Sequence, residues 1–340
     1  MKIHQLRTSS CLALLLCCSW EPTKFFVAGA DSAGCSNGGS ISSGRINIVV
    51  DGVSRSFLLY VPSSAGSSPK ALVLNFHGNP SDAATQQAYT QMDTTAEKHG
   101  FFVAYPDGIN TAFNAGACCA GATADDLAFS RKVVDEVASK ACINLDQVFA
   151  TGWSNGAYMA YFLACKAADM VSAIAPVGGL IGVDPVNDCT PSRPVRVLHM
   201  HEVKDGDVDY CGKLRVEFMG AQALVREFAA KQGCSGSGDT GISYQKGEVT
   251  CRSQKGCPGG RNATLCTIDR CFASHSWPGA ESNLQSEDGT KDIDGNEEIW
   301  QFFAGNTAQS DSSLTADNCP NYCGAAALRG GRFGWRNWWT

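Results

Sequence analysis

Ser154 stands in Gly152-Trp153-Ser154-Asn155-Gly156, after the apolar run Val148-Phe149-Ala150-Thr151 and before the helix-forming segment Ala157-Tyr158-Met159-Ala160-Tyr161. A serine hydroxyl attacks a carbonyl only when a base takes its proton and a third group orients that base. A strand, a tight turn and a helix can expose it. Glycines two residues either side allow the turn, and the helix N-terminus favours negative charge developing at the same place. Of the six histidines, only His199, His201 and His275 follow Ser154. His199 and His201 end a predicted strand, and the loop after them holds Asp205, Asp207 and Asp209, each a candidate acid. If that loop supplies the acid, His275 in Ser274-His275-Ser276-Trp277-Pro278 is the base. The negatively charged oxygen of the reaction needs two backbone donors. Asn155, directly after the serine, supplies one; Gly78 or Asn79, after the apolar run 71–76, supplies the other. Trp153 and Trp277 are candidate walls of an acyl pocket.

These residues need a scaffold. Asp51-Gly52 between the β-rich runs 45–50 and 54–61 predicts a hairpin. Further strands are expected at 71–76, 101–105, the run before Ser154, 173–177 and 194–200. Helices are expected at 82–99, from Asp125 or Asp126 to 140, after the serine to about 165, at 213–231 and at 295–303. β-like stretches follow at 241–251 and 263–272. The alternation predicts an α/β fold, with a doubly wound, mostly parallel sheet and helices on both faces. Residues 31–304 form the expected domain. Residues 305–340 lose the periodicity and read as an appendage whose Trp335, Trp338 and Trp339 could stack on sugars or pack locally.

Composition narrows the setting. With 340 residues, 44% hydrophobic, and a net charge of -6, the chain is globular and poorly suited to nucleic acid or an anionic membrane surface. Residues 1–30 read as a secretory signal: Lys2 and Arg7, the short apolar core 11–18, then Ala28-Gly29-Ala30. That core is too short for a membrane anchor, so a secreted, extracellular monomer is expected. Three of the seventeen cysteines fall in this leader, leaving an even number expected mostly as disulfides. Cys118 and Cys119 are expected to bond to two different partners, since a bridge between neighbours strains the peptide. Cys251, Cys257, Cys266 and Cys271 lack paired C-x-x-C spacing, so neither metal nor cofactor is expected. Asn262-Ala263-Thr264 is a glycosylation sequon.

Taken together, several ordered segments resemble the secreted feruloyl esterase and polyhydroxybutyrate depolymerase-like family of α/β-hydrolases, the group with carbohydrate esterase family 1. They are Leu74-Asn75-Phe76-His77-Gly78, Phe102 to Gly108, Cys118-Cys119 with Asp125 to Phe129, Gly152 to Gly156, Ala175 to Gly179, His201 to Tyr210, His275 to Gly279 and Ile299 to Phe303. The resemblance implies a serine carboxylesterase with Ser154 as nucleophile, Asp205 as acid and His275 as base. It implies hydroxycinnamate esters of plant cell-wall polysaccharide as substrate, with polyhydroxybutyrate or acetylated xylan as alternatives; an inactive wall-glycan-binding protein is the non-enzymatic one. The family's acid lies in His-Gly-Thr-x-Asp-x-x-Val-Pro-Tyr. Here Glu202 replaces Gly, Val203 replaces Thr and Asp209 replaces Pro. Glu202 would raise the imidazole of His275 if it lay near.

Overall fold

Every strand that carries a candidate site residue belongs to one sheet. A computed structural model describes residues 31–36, 41–116, 118–119, 122–185, 187–212, 218–236, 240–270, 272, 274–280 and 289–306. The expected signal at 1–30, Cys271 and the tail from 307 lie outside these residues. The strands are β1 (Gly44–Val50), β2 (Val53–Tyr60), β3 (Lys70–Phe76), β4 (Phe102–Pro106), β5 (Ile143–Trp153), β6 (Ala173–Val177), β7 (Arg196–Glu202), β8 (Thr240–Lys246), β9 (Val249–Gln254) and β10 (Ala263–Ile268). They form a ten-stranded sheet in the order β1-β2-β4-β3-β5-β6-β7-β10-β9-β8. From β4 to β10 all neighbours are parallel. Antiparallel hairpins close each edge. The fold is thus α/β with a mostly parallel sheet, as the alternation predicts.

The helices are α1 (Ala33–Ser36), α2 (Ala83–Thr90), α3 (Met92–His99), α4 (Asp126–Lys140), α5 (Asn155–Lys166), α6 (Ala221–Lys231) and α7 (Gly295–Phe303). Two apolar cores lie on the two sheet faces. One gathers Phe129 and Val133 of α4, Met159 and Leu163 of α5 and Leu224 and Phe228 of α6. The other gathers Tyr89 of α2, Met92 and Ala96 of α3 and Ile299 and Phe302 of α7. The central strands are apolar on both sides because both sides are covered.

Three local expectations change. The helix expected over 82–99 is two, broken at Gln91 in the left-handed region (φ 51°). The amide of Gln91 still closes α2 on the carbonyl of Gln87. The helix expected from 213 begins at Ala221, after an irregular stretch 218–220; residues 213–217 are not described. The stretch 241–251 is a hairpin, β8 and β9, turning at Gly247-Glu248.

The largest correction concerns cysteine. Cys118 and Cys119 bridge one another rather than two different partners. Other cysteines pair as Cys35–Cys142, Cys165–Cys189, Cys234–Cys257 and Cys251–Cys266, and Cys211 is also disulfide-bonded. The fold brings those partners together across strands and helix ends, and leaves the neighbouring pair to itself. The same pairing occupies Cys251, Cys257 and Cys266, so their thiols are not zinc ligands.

Candidate active site

The elbow is built by close approach. β5 ends at Trp153 and α5 starts at Asn155, so Ser154 alone makes the turn, with φ 55° and ψ -118°. A non-glycine residue there is strained and is held by its surroundings. The amide of Ser154 donates to the carbonyl of Val177, 3.0 Å away. A Cβ on Gly152 would sit 2.6 Å from the Phe76 carbonyl oxygen, and one on Gly156 only 2.0 Å from it. The two glycines let β5 and α5 press against the end of β3. The Ser154 side chain is thereby set at the N-terminus of a 12-residue helix.

The candidate acid comes from the loop after β7. Asp205 is 6% exposed. Its Oδ1 accepts the amides of Asp207 (2.9 Å) and Val208 (2.7 Å). Its Oδ2 accepts Nδ1–H of His275 at 2.7 Å. Burial alone would raise this carboxyl. Hydrogen bonds from His201 and His275, with their charge, outweigh burial and hold it well below the usual carboxylate range. Of the three aspartates in the loop, Asp205 is hydrogen-bonded to His275. Asp209 instead accepts the amide of Cys211, an Asx turn where the family has proline.

His275 follows β10. With its proton on Nδ1, Nε2 is the nitrogen whose lone pair can act as base. Burial lowers an imidazole, but the hydrogen bond and charge of Asp205, then the charges of Asp207 and Glu202, outweigh it, so His275 lies above the usual value. The rings of His275 and Trp153 lie 4.9 Å apart, which brings the base up to the elbow. Gly178, just past β6 with φ 59°, leaves room for His275 and Asp205. A Cβ there would come within 3.1 Å of His275 Cε1 and 3.7 Å of Asp205 Oδ2. Gly178 lies in the Ala175 to Gly179 segment singled out in the sequence, which assigns it no role in the site.

On the other side, Gly78 approaches Ser154. A Cβ on Gly78 would be 2.6 Å from the Trp153 ring and 3.3 Å from Ser154 Cβ. His77 fixes this loop. Its Nε2 accepts the Gly108 amide at 2.9 Å, so its proton is on Nδ1, which donates to the Gly78 carbonyl at 2.6 Å. Burial lowers its pKa and keeps it neutral. The side chain of Asn155 ties down the loop after β4. Its Oδ1 accepts the Phe113 amide (2.7 Å), and its Nδ2 donates to the Phe113 carbonyl (3.1 Å) and to Cys118 Sγ (3.6 Å). Asp126 holds the same loop through the amide of Asn114 while it pairs with buried Arg55.

Behind the acid runs a buried chain. His201 Nε2 lies 2.8 Å from the Val208 carbonyl and 3.4 Å from Asp205 Oδ2. A carbonyl only accepts, so His201 carries its proton on Nε2. Its Nδ1 is hydrogen-bonded to His199 Nε2 (2.9 Å), and His199 Nδ1 to the Tyr161 hydroxyl (2.7 Å). Burial, then the charge of His201, keeps His199 well below the usual imidazole value.

The two tryptophans part company. Trp153 packs between Tyr89 and His275 beside the Gly78 loop. Trp277 is fully buried, its amide donating to the Tyr89 hydroxyl and its indole N–H to Asn296. It is a core residue and does not face a pocket.

No family model matches the chain. Feruloyl esterase B of Piromyces equi is 30% identical over 229 residues, covering 63% of this chain and 42% of that protein. Feruloyl esterase D of Neurospora crassa is 25% identical over 307 residues, covering 86% of this chain and 95% of that protein. The chain is thus similar to feruloyl esterases over most of its described domain. It spans less than half the length of the Piromyces relative. An acetyl xylan esterase from Aspergillus awamori superposes with a TM-score of 0.52 at 14% identity, over 77% of this chain and 99% of that one, and shares the fold. The described residues include no cluster of metal-ligating side chains and no helix long and apolar enough to cross a membrane.

Proposed function

We propose that this chain is a serine carboxylic ester hydrolase of the feruloyl esterase type, with Ser154 as nucleophile, His275 as base and Asp205 as acid. The observation that carries it is the 2.7 Å bond from His275 Nδ1 to Asp205 Oδ2, made beside a strained serine that heads a helix. His275 Nε2 takes the Ser154 proton as Oγ attacks the ester carbonyl. The amides of Asn155 and of Gly78 or Asn79 stabilise the oxyanion. The alcohol leaves with the proton from His275, and water, deprotonated by the same nitrogen, releases the acid and restores Ser154.

Hydroxycinnamate esters of plant cell-wall polysaccharide are the proposed substrates, supported by the relatives' names. Trp153 is the proposed aromatic wall of the acyl site. Disulfides support a secreted, extracellular enzyme, since they persist in oxidising compartments. Residues 31–304 are the proposed catalytic domain, and Asn262 the proposed glycan site.

Ser154→Ala is expected to abolish hydrolysis of simple esters and labelling by a fluorophosphonate probe, with the thermal transition retained. Hydrolysis that survives in the purified variant rejects the assignment. Rates on methyl ferulate, acetylated xylan and hydroxybutyrate oligomers, compared side by side, test the acyl group. A preference for either of the last two replaces the feruloyl reading.

A further inference from the structure

We propose that Glu202 is a positioning residue for His275: it holds the loop of the base to the end of β7 through the Ser276 hydroxyl and sets a second carboxylate beside the imidazole. The inference rests on the triad reading above.

Glu202 is the last residue of β7, paired in register with Ile268 of β10. It is 3% exposed, and so is Ser276. The Ser276 hydroxyl donates to Glu202 Oε1. Ser276 adjoins His275 in the chain, and Glu202 lies three residues before Asp205. The same two segments are therefore joined twice, by Asp205 with His275 and by Glu202 with Ser276. One contact fixes a ring nitrogen, and the second fixes the backbone that carries the ring. Together they remove the freedom of the base loop to swing about a single bond.

Glu202 is a poor choice for stability alone. Its Oε2 is buried and has no hydrogen-bond partner among the described residues. The nearest cation, Arg270, stands 3.9 Å from Oε1 and is shared with Glu248. A carboxylate stripped of water and so thinly partnered does not strengthen a fold. The matching family position is glycine, which avoids that cost. What Glu202 supplies is direction and charge.

The charged groups around the pair are few. Asp205 of the acid loop bonds His275, and Asp207 of that loop and Glu202 of β7 add negative charge to its surroundings. His201 of β7 and Tyr158 of α5 face Asp205. Arg270, after β10, faces Glu202, with Glu248 of the β8–β9 turn behind it. Removing the charge of Glu202 takes away one of the three negative groups that favour the imidazolium. Removing the Ser276 hydroxyl leaves that charge and cuts the tether.

The full chain is assayed on a simple aryl ester, so that the natural acyl group does not matter. Glu202→Gln keeps an oxygen for Ser276 and removes the charge. Its acid limb of kcat/KM is expected to move to lower pH by on the order of half a unit, with fluorophosphonate labelling intact. Ser276→Ala is expected to lower kcat about tenfold with KM little changed, and Ser276→Thr to recover most of it. A Glu202→Gln profile that superimposes on the parent overturns the charge role. A Ser276→Ala kcat within about twofold of the parent overturns the tether. If Ser276→Ala does not fold, Glu202→Gln with its pH profile decides. A parent chain that fails to label at Ser154 rejects the triad reading and this inference with it; a parent that labels while both variants match it rejects this inference alone.

Discussion

In the proposed mechanism His275 must be neutral to accept the Ser154 proton, and its pKa sets the acid limit of the reaction. Asp205, Asp207 and Glu202 raise it against the pull of burial. The acid limb of kcat/KM is therefore expected above the ordinary imidazole value of about 6.5, measured as a pH–rate profile on a simple ester. The same shift has a stability sign. A raised folded pKa favours the folded state below the unfolded value, and that contribution fades as pH rises through the folded one. Asp205→Asn removes the leading raising partner and leaves burial. The limb then moves down while kcat falls by up to about four orders of magnitude, the imidazole having lost the group that fixes its tautomer. A limb that does not move on this substitution would place the titrating group elsewhere.

The elements turn these residue properties into a site by how closely they approach. β3, β5 and α5 meet where Gly156 touches the Phe76 carbonyl, with no room for a methyl group. Gly156→Ala is expected to cost on the order of 3 kcal/mol in denaturant unfolding, and to lower Ser154 labelling by shifting the helix start. Gly66 is a control: a Cβ there meets nothing within 4 Å, and Gly66→Ala is expected to stay within about 0.5 kcal/mol. Equal effects at the two positions would reject the packing account. Asp205 and His275 likewise depend on a neighbouring pair of strands. β7 and β10 run parallel side by side, so the loops after them leave the sheet at the same edge. Residues 70 apart in sequence thereby meet.

At the scale of the molecule, disulfides join segments that are far apart in the chain. Cys35–Cys142 spans 107 residues and ties the segment before β1 to the start of β5. Cys251–Cys266 spans 15 and only reinforces paired strands. By chain entropy a loop of about 100 residues is worth about 4.7 kcal/mol and one of about 15 about 3 kcal/mol. Replacing both cysteines of the long pair by alanine is expected to lower the thermal midpoint more than replacing those of the short pair. The reverse order in calorimetry would mean that strand pairing, not loop closure, sets the difference. The sheet itself divides the labour: antiparallel hairpins close its edges, and the parallel centre carries Ser154, Asp205 and His275 on loops at one end.

Periodicity and turn chemistry are local, and they were enough for the strands from 71 to 200, the helix 295–303, the elbow and the α/β class. Three histidines follow Ser154, and if the loop after His201 supplies the acid, the order serine, aspartate, histidine leaves His275 as the base. The choice among Asp205, Asp207 and Asp209 came from resemblance; only the folded loop directs Asp205 Oδ2 to the imidazole. Other features depend on contacts between segments distant in sequence. A left-handed Gln91 splits a helix whose pattern runs unbroken. Trp277 is a wall candidate by its place beside His275, but α2 and α7 bury it. Cys118 and Cys119 bridge one another, and eight other described cysteines pair between segments distant in sequence. Glu202 stood out only as a departure beside the acid. Its bond to Ser276 exists because β7 and β10 are neighbours in space, and strand order is a property of the tertiary structure.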